Sequence, residues 1–449
     1  MRNAPSTSRG TRGKAESGAV LIQVAVALLA LLALTSYVFD YGVMWVSKGQ
    51  AQTAADAGAL SGAISLAFNS STDQAAARAR AIAVGQRNRV WGQAPVIAPG
   101  DVTFPPCPPG APGLPDTCVK VDVFRNQTRL NPLPTFMGRL AGVNSQGVRA
   151  TATAQIVTGD TTDCLRPWAV LDKWAESAQN PADGVGPDPG PISTYGRYPT
   201  NPNGGGPNSI PVEPTDAYVR PGLPGATGFT LPADEGRRFA IKVGASGGNE
   251  VSSGWFRTID LPRADTTQLG NNTVQTNIMS CSGMPSSFAA PNTVCPNDIA
   301  NNWEETAYWA ERGCYRVQTG ATVGSTRNTV QDLMALDGAA RWVDGQGIVG
   351  STFDPPNRSP RVVPIGVMDI DDYLSRNPTG QNGVLRMVNI YGFFIEGPGD
   401  VDRNTGAITF PANNGQAIIG RILTIPSMSL GSSTLPNNAS FLRQIILVR

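Results

Sequence analysis

The longest apolar stretch of the chain lies close to its N-terminus. Residues 19–39 are apolar apart from Gln23, Thr35, Ser36 and Tyr37. In a helix, a stretch of this length rises ~1.5 Å per residue and spans the ~30 Å hydrocarbon layer of a membrane. A cleaved signal peptide is the alternative, but its apolar region would be only ~7–15 residues long. The sequence therefore predicts one transmembrane helix over residues 19–46. Its anchor residues are Ala19, Leu28, Leu32, Phe39 and, at the outer boundary, Asp40.

The helical pattern continues beyond the apolar stretch, because Lys48–Phe68 contains no proline and many alanine residues. We expect one helix of about 50 residues. Small residues recur along one face of its second half, where they let another backbone approach closely. This face packs either against the chain's own sheet or second helix, or against other subunits. Its residues are Ala51, Ala55, Gly58, Ala59, Gly62 and Ala63.

Further elements follow this helix within residues 47–157. Thr72 to about Asn88 opens with residues of N-cap type and predicts a second helix that folds back on the first. Cys118–Phe124 and Gly147–Val157 alternate between apolar and polar residues, which predicts two strands. Between them, LPTFMGRLAG predicts a short amphipathic helix. The sequence thus predicts a unit of two helices and a small sheet.

The composition changes after this unit. Residues 158–228 are rich in Gly, Pro, Asn, Asp, Ser and Thr and predict a loop or linker. Residues 229–449 contain short alternating runs and predict a β-rich domain. Its helical turns are predicted at Trp303–Trp309 and Thr329–Leu336. The fold class is therefore α+β. The predicted strands are Arg237–Val243, Trp255–Leu261, Arg361–Met368, Val384–Glu396, Ala417–Ile425 and Phe441–Val448.

Charge indicates the orientation of the membrane helix. Residues 1–18 carry four basic side chains and one acidic side chain, whereas the residues after the helix show no such excess. Basic segments stay on the cytoplasmic side, so we expect a cytoplasmic tail and an exported C-terminal bulk. The whole chain has a net charge of only +1. It lacks the basic excess of a dedicated nucleic-acid binder. The basic residues of the tail are Arg2, Arg9, Arg12 and Lys14.

All six cysteines lie beyond the apolar helix, and none forms a CxxC pair. Disulfides in an oxidising compartment are the natural interpretation, although free thiols remain an alternative. Six cysteines allow fifteen pairings. We expect Cys107 to pair with Cys118 and Cys281 with Cys295, since each pair encloses a local loop. This leaves Cys164 to pair with Cys314.

The chain contains no histidine, which removes the commonest general base and most zinc and copper ligands. Residues 244–248 fit the nucleophile pattern G-x-S-x-G, but Ser246 would need another base, such as a lysine. There is no GxxxxGK phosphate loop. We expect no enzymatic activity, no cofactor and no small-molecule substrate, and an envelope hydrolase remains the least favoured alternative.

Two acidic clusters could bind a hard cation through their carboxylates, or could form solvated turns and helix starts. One is Asp400–Gly406, and the other comprises Asp369, Asp371 and Asp372. We predict no metal site at either. Asp40 is the one charged residue near membrane depth, where it is either an interfacial anchor in an aromatic belt or a contact for a partner.

Residues Ser17–Ala63 resemble the N-terminal module of TadG-like proteins of the Flp (Tad) pilus assembly system. The motifs that carry the resemblance follow the same order as in that family. They are a Gly-Ala-Val start at Gly18–Val20, an Asp-x-Gly at Asp40–Gly42 and a Gln-x-Ala-Ala-Asp-Ala helix at Gln52–Ala57. Pro134–Phe136 and Ala150–Ala152 extend the likeness to about residue 157.

The resemblance implies a single-pass protein of the bacterial inner membrane, with a pilin-like helix-and-sheet module on the periplasmic side. Its expected partners are the lipid bilayer and other pilus-assembly or envelope proteins. A minor pilin or surface adhesin within a filament is the alternative. Prepilin cleavage after Gly18 would favour it, but the fifth residue of such a product is Gln23, whereas prepilin peptidases expect glutamate there.

Overall fold

The computed structural model describes residues 15–68, 73–107, 118–176, 195, 216–242, 256–267, 269, 271–318, 323–375, 383–401, 407–410, 417–428, 435–436 and 438–448. The basic residues Arg2, Arg9, Arg12 and Lys14 of the predicted tail lie outside the described residues.

One helix, α1, runs over Ala15–Phe68 and is 54 residues long. The predicted continuation of the apolar helix into a second, less apolar half is therefore confirmed. A second helix, α2, spans Gln74–Arg87. Asp73 caps its N-terminus, because the Asp73 carboxylate accepts a hydrogen bond from the backbone N–H of Ala76 at 2.9 Å. Such a side-chain cap satisfies a backbone donor that the helix cannot pair internally.

The remaining elements alternate short helices with strands. The helices are α3 (Asn271–Met279), α4 (Trp303–Ala310), α5 (Val323–Ala335) and α6 (Ile370–Ser375). The strands are β1 (Val102–Thr103), β2 (Cys118–Arg125), β3 (Leu133–Pro134), β4 (Ser145–Gln146), β5 (Val148–Thr158), β6 (Thr161–Thr162), β7 (Trp168–Leu171), β8 (Arg238–Lys242), β9 (Phe256–Thr258), β10 (Ser286–Ser287), β11 (Cys314–Arg316), β12 (Arg341–Val343), β13 (Gly347–Val349), β14 (Val362–Met368), β15 (Val384–Val401), β16 (Ile408–Thr409), β17 (Ala417–Leu423), β18 (Ile425–Pro426) and β19 (Leu442–Val448).

The first sheet has five strands in the order β1-β2-β5-β19-β18, and only the pair β18 and β19 is parallel. Along β2, Val119, Val121 and Val123 are buried and alternate with partly exposed residues. This two-residue period puts the valines on one face of the sheet. They share a hydrophobic core with alanines of α1 and α2. The first core therefore lies between two helices and one sheet face.

The larger sheet has the order β8-β17-β15-β14-β7-β9, with β11 and β16 also paired to β15. Its pairs are antiparallel except for β7 and β14, which are parallel. Alternate residues of β7 enter different cores: Trp168 and Val170 on one face, Ala169 and Leu171 on the other. Because both faces are covered, the central strands are almost continuously apolar. The α+β class with a β-rich second part is confirmed.

The structure corrects three expectations about these elements. LPTFMGRLAG forms no amphipathic helix, because Leu133–Pro134 pairs as a strand and only Gly138–Ala141 makes a 3-10 turn. The predicted linker 158–228 contains β6 and β7, and β7 is a central strand of the larger sheet. The last strand, β19, pairs with β5 and therefore belongs to the sheet of the N-terminal unit.

Two of the three predicted disulfide pairings are wrong. The observed bonds join Cys107 to Cys118, Cys164 to Cys281, and Cys295 to Cys314. The physical reason is strand pairing over a long sequence distance. β6 pairs with β10, and the N–H of Gly283 donates to the carbonyl of Asp163 at 2.9 Å, so the two segments that carry Cys164 and Cys281 lie side by side. Of the two local pairs that were predicted, only Cys107 with Cys118 is observed.

Candidate functional site

The N-terminal half of α1 is an exposed apolar rod. Its most apolar window has a mean hydropathy of 2.3 and is nowhere buried, and among the described residues it is the one helix long and apolar enough to cross a membrane. Leu28 and Leu32 are each 54% exposed and Phe39 is 61% exposed. Exposed leucines at this density do not suit water, whereas lipid accommodates them. The described part of the chain therefore contains one candidate membrane anchor, which includes the helical Ala19.

Asp40 marks the place where α1 begins to contact the rest of the chain. Its carboxylate accepts hydrogen bonds from the backbone N–H of Phe136 at 2.8 Å and of Gly138 at 2.6 Å. The side-chain amide of Gln146 donates to the Asp40 carbonyl at 3.3 Å. Residues 134–143, here named the interfacial loop, are thus fastened to the helix. Sequence reasoning missed this role because it joins positions about a hundred residues apart.

Aromatic rings follow the same helix past Asp40. Tyr37 stacks on Tyr41 with ring centroids 5.6 Å apart, and Tyr41 meets Trp45 edge-on at 6.5 Å. Trp45 is 65% exposed. Amphipathic rings prefer the boundary between hydrocarbon and water, and these rings lie on α1 beside Asp40, so they suit the alternative in which Asp40 is an interfacial anchor.

The small-residue face of α1 packs inside the molecule. A side chain added at Gly62 would place its Cβ 2.9 Å from Val119 Cγ1 and 3.2 Å from Ala81 Cβ. At Gly58 the nearest atom would be the Ala81 carbonyl oxygen at 3.1 Å. The face is therefore filled by α2 and β2, and the alternative in which other subunits cover it does not hold for these residues. The buried members are Ala51, Ala55, Gly58, Ala59, Gly62 and Ala63.

A buried polar cluster, which the sequence analysis did not single out as a unit, occupies the larger sheet. Asp172 and Asp369 follow directly after β7 and β14, and because these strands are parallel neighbours, both carboxyl ends lie at one sheet edge. The hydroxyl of Tyr391 donates to Asp172 at 3.0 Å, and that of Tyr218 does so at 3.4 Å. The detectable signal was an apolar run that ends in aspartate, in WAVLD and again in VVPIGVMD.

Burial raises the pKa of Asp172 to about 6, although hydrogen bonds from Lys173, Tyr391 and Phe229 oppose the change. Burial also raises the pKa of Asp369, whose carboxylate accepts from the N–H of Asp372 at 3.1 Å at the start of α6. Asp369 is thus a buried helix cap, and the expectation that it is solvated is wrong. These donors are the chain's own groups, so the cluster acts as a structural network.

The cluster predicts a pH-dependent stability. The pKa of Asp172 is higher in the folded state than in the unfolded state. Its contribution to the free energy of unfolding is therefore fully present below about pH 4 and is lost as pH rises through about 6. Integrated over this range, the loss is about 3 kcal/mol. In Asp172→Asn, we expect the free energy of unfolding to fall less steeply between pH 4 and 7. Urea titrations at several pH values measure it, with the exposed Asp332→Asn on α5 as control. Equal slopes in all three proteins would contradict the prediction.

Most of the other predicted chemical motifs lie outside the described residues. Ser246, with its whole G-x-S-x-G pattern, lies outside the described residues, and so do residues 402–406 of the acidic cluster Asp400–Gly406. Asp400 itself lies in β15 opposite Thr409. Within the described ranges, no three Cys, Asp or Glu side chains are grouped so as to hold a metal ion.

Comparison with known proteins places the family likeness on α1. The sequence profile of the Tad family, described as Flp pilus-assembly TadE/G-like, matches residues 18–65. This match covers about a tenth of the chain and includes the exposed anchor, Asp40 and the small-residue face. No curated protein and no solved structure is significantly similar to the chain. The resemblance expected from the sequence is therefore confirmed: residues 18–65 match the TadE/G-like Flp pilus-assembly profile, which is consistent with a TadG-like protein.

Proposed function

We propose that this protein is a single-pass inner-membrane protein that supports assembly of an Flp-type pilus through protein contacts and catalyses no reaction. The observation that carries the proposal is the family match at residues 18–65. It coincides with the helix that is exposed and apolar at one end and packed into a folded module at the other. A protein of this layout fixes its module at a set height above the bilayer.

The basic tail and the disulfides support the proposed orientation. Residues 1–18 carry the positive excess that stays in the cytoplasm. All three disulfides follow the anchor in sequence, and disulfides persist in an oxidising compartment such as the periplasm. Both features favour a cytoplasmic N-terminus and a periplasmic bulk.

The absence of histidine from the sequence supports a role without catalysis. Asp172, a buried acid whose pKa is raised, is enclosed by hydrogen-bond donors of its own chain. An acid that is buried in this way has no open position beside it for a reacting group.

The packing of α1 restricts where partners bind. Its small-residue face is buried against α2 and the first sheet, so other pilus-assembly proteins would contact the opposite side of the helix. Thr53 and Ile64 are exposed on that side, beyond the anchor. Partner contacts are therefore expected at these positions.

Deletion of the gene is expected to abolish or strongly reduce Flp pili, and the full chain supplied from a plasmid should restore them. In the restored strain, a photo-crosslinking residue at Thr53 or Ile64 should capture another pilus-assembly protein, whereas the same residue at the exposed Phe410 in the larger domain serves as the comparison site. Electron microscopy counts the pili and mass spectrometry identifies the captured protein. Undiminished pili in the deletion strain would overturn the proposal.

A minor pilin or surface adhesin is the second candidate. It is favoured by the shape of α1, whose apolar half is exposed while its other half lies on an antiparallel sheet. Gln23 argues against the processing that such a protein would undergo, because a neutral side chain cannot pair with an N-terminal amine as a carboxylate does. Recovery of the chain in sheared pilus fibres would favour this candidate over a membrane-retained assembly protein.

A further inference from the structure

We infer that the interfacial loop, residues 134–143, inserts its exposed apolar side chains into the headgroup layer of the bilayer and so forms a second membrane contact beside the anchor helix. The occupant of this surface is therefore a lipid surface. The inference rests on the membrane-spanning part of the proposed function and goes beyond it, because it gives a lipid-binding role to a segment of the folded module.

The depth of the loop follows from where it is fastened. The exposed apolar surface of α1 extends past Asp40 through Trp45 and Val46, which are 65% and 52% exposed. From Val20 to Phe39 the exposed helix rises ~29 Å, which matches the ~30 Å hydrocarbon layer of a bilayer. Asp40 is the next residue of the helix and therefore lies where the headgroup layer begins. Its carboxylate holds the loop by two hydrogen bonds of 2.8 and 2.6 Å, so the loop lies at the depth of the headgroups.

The side chains of the loop suit that depth. Phe136, Met137 and Val143 are 56%, 37% and 51% exposed, although all three are apolar. Beside them, the exposed Arg139 can reach lipid phosphates. Exposed apolar residues that continue an aromatic belt are characteristic of an interfacial surface.

The loop is also held in shape by its own hydrogen bonds. The buried hydroxyl of Thr135 donates to the carbonyl of Val143 at 2.7 Å, and the N–H of Val143 donates to the carbonyl of Gly138 at 2.9 Å. Its apolar side chains are therefore exposed by a fixed backbone. The same hydrogen bonds offset the cost of placing a carboxylate at membrane depth. The backbone N–H groups of the loop replace the water molecules that Asp40 would otherwise bind.

Spin labels can test the inference on the full chain in nanodiscs of phosphatidylethanolamine and phosphatidylglycerol. All six native cysteines form disulfides, so a single introduced cysteine is the only free thiol. The test sites are Met137→Cys and Val143→Cys. The control is Phe353→Cys, because its neighbour Asp354 pairs with Arg80 on α2 at 2.8 Å. The next residue of α2, Ala81, packs on Gly58, ~27 Å along α1 from Asp40.

Labels at 137 and 143 are expected to be more accessible to oxygen, which dissolves in lipid, than to a water-soluble nickel chelate. The label at 353 should show the reverse order. Nickel accessibility at 137 and 143 equal to that at 353 would overturn the inference, and so would low accessibility to both reagents, which indicates cover by protein. A label at Leu28→Cys, on the anchor helix, distinguishes failure of the membrane anchor from failure of the loop contact. If this label also contacts water, the anchor itself fails, whereas a lipid-exposed label at 28 with water-exposed labels in the loop refutes the loop contact alone.

Discussion

Replacing Gly62 with leucine should separate α1 from α2 and the first sheet and destabilise the N-terminal module by about 3 kcal/mol or more. The Cβ alone would lie 2.9 Å from Val119 Cγ1 and 3.2 Å from Ala81 Cβ, and leucine adds three further carbon atoms to it. Valine is stiff at χ1, so Val119 cannot simply turn aside. The backbones of two helices and a strand must then move apart, which exposes the alanine core between them.

The chain offers a matched control for this substitution. Gly49 lies on the same helix, and a side chain added there meets nothing within 4 Å. Gly49→Leu should therefore stabilise the helix slightly, by up to about 1 kcal/mol, because glycine has a low helix propensity. Thermal unfolding of both variants in nanodiscs measures the difference. If Gly62→Leu is as stable as Gly49→Leu, the close packing of α1 on α2 is wrong, and the face would be free for other subunits.

The same pair of variants connects packing to function. If the module must keep its shape to support pilus assembly, Gly62→Leu should lower the pilus count while Gly49→Leu leaves it unchanged. Immunoblotting of membrane fractions shows whether each variant still reaches the membrane in normal amount. A normal pilus count in a strain that carries only the unfolded Gly62→Leu variant would contradict this expectation. It would show that the anchor helix alone, without the folded module, supports pilus assembly.

The N-terminal unit could be predicted from sequence because its signals are local. The apolar run, the proline-free alanine-rich continuation and the alternation in β2 and β5 each depend on neighbours within a few residues. The longer strands of the second part could be predicted in the same way, since buried strands such as β14 and β15 are almost continuously apolar. By contrast α3, with the sequence NNTVQTNIM, has little intrinsic helix propensity. It forms where Val274 and Ile278 are buried in the core that contains Trp168 and Val170 of β7.

Contacts between distant segments could not be predicted. The last strand pairs with β5 across nearly three hundred residues, and the buried Thr424 donates from its hydroxyl to the carbonyl of Ala67 at the end of α1, at 2.7 Å. Asp40 shows the same limitation within the candidate site. Its charge at membrane depth was visible in the sequence, but its partners, the backbone N–H groups of the interfacial loop, carry no sequence signal at all. Backbone donors are present at every residue except proline, so only the fold identifies them.

Removing the bond between Cys164 and Cys281 should destabilise the protein more than removing either local disulfide. The two residues are 117 positions apart, and in the chain-entropy account a loop of that size contributes about 5 kcal/mol. The bond between Cys107 and Cys118 spans 11 positions and contributes about 3 kcal/mol on the same account. Cys281 is exposed and Cys164 half-buried, so serine at both positions leaves little empty space, and the loss in this variant reports the unfolded chain.

We therefore expect the double variant Cys164→Ser, Cys281→Ser to lose about 2 kcal/mol more than Cys107→Ser, Cys118→Ser in denaturant unfolding under non-reducing conditions. The long-range bond also has a structural role, because it joins two distant segments of the chain. One segment lies between β6 and β7, and the other lies between α3 and β10, which pairs with β6. Mass mapping of non-reduced peptides gives the pairing independently. A peptide that joins Cys164 to Cys314, or an equal loss in the two double variants, would contradict this assignment and restore local loops as the basis of the pairing.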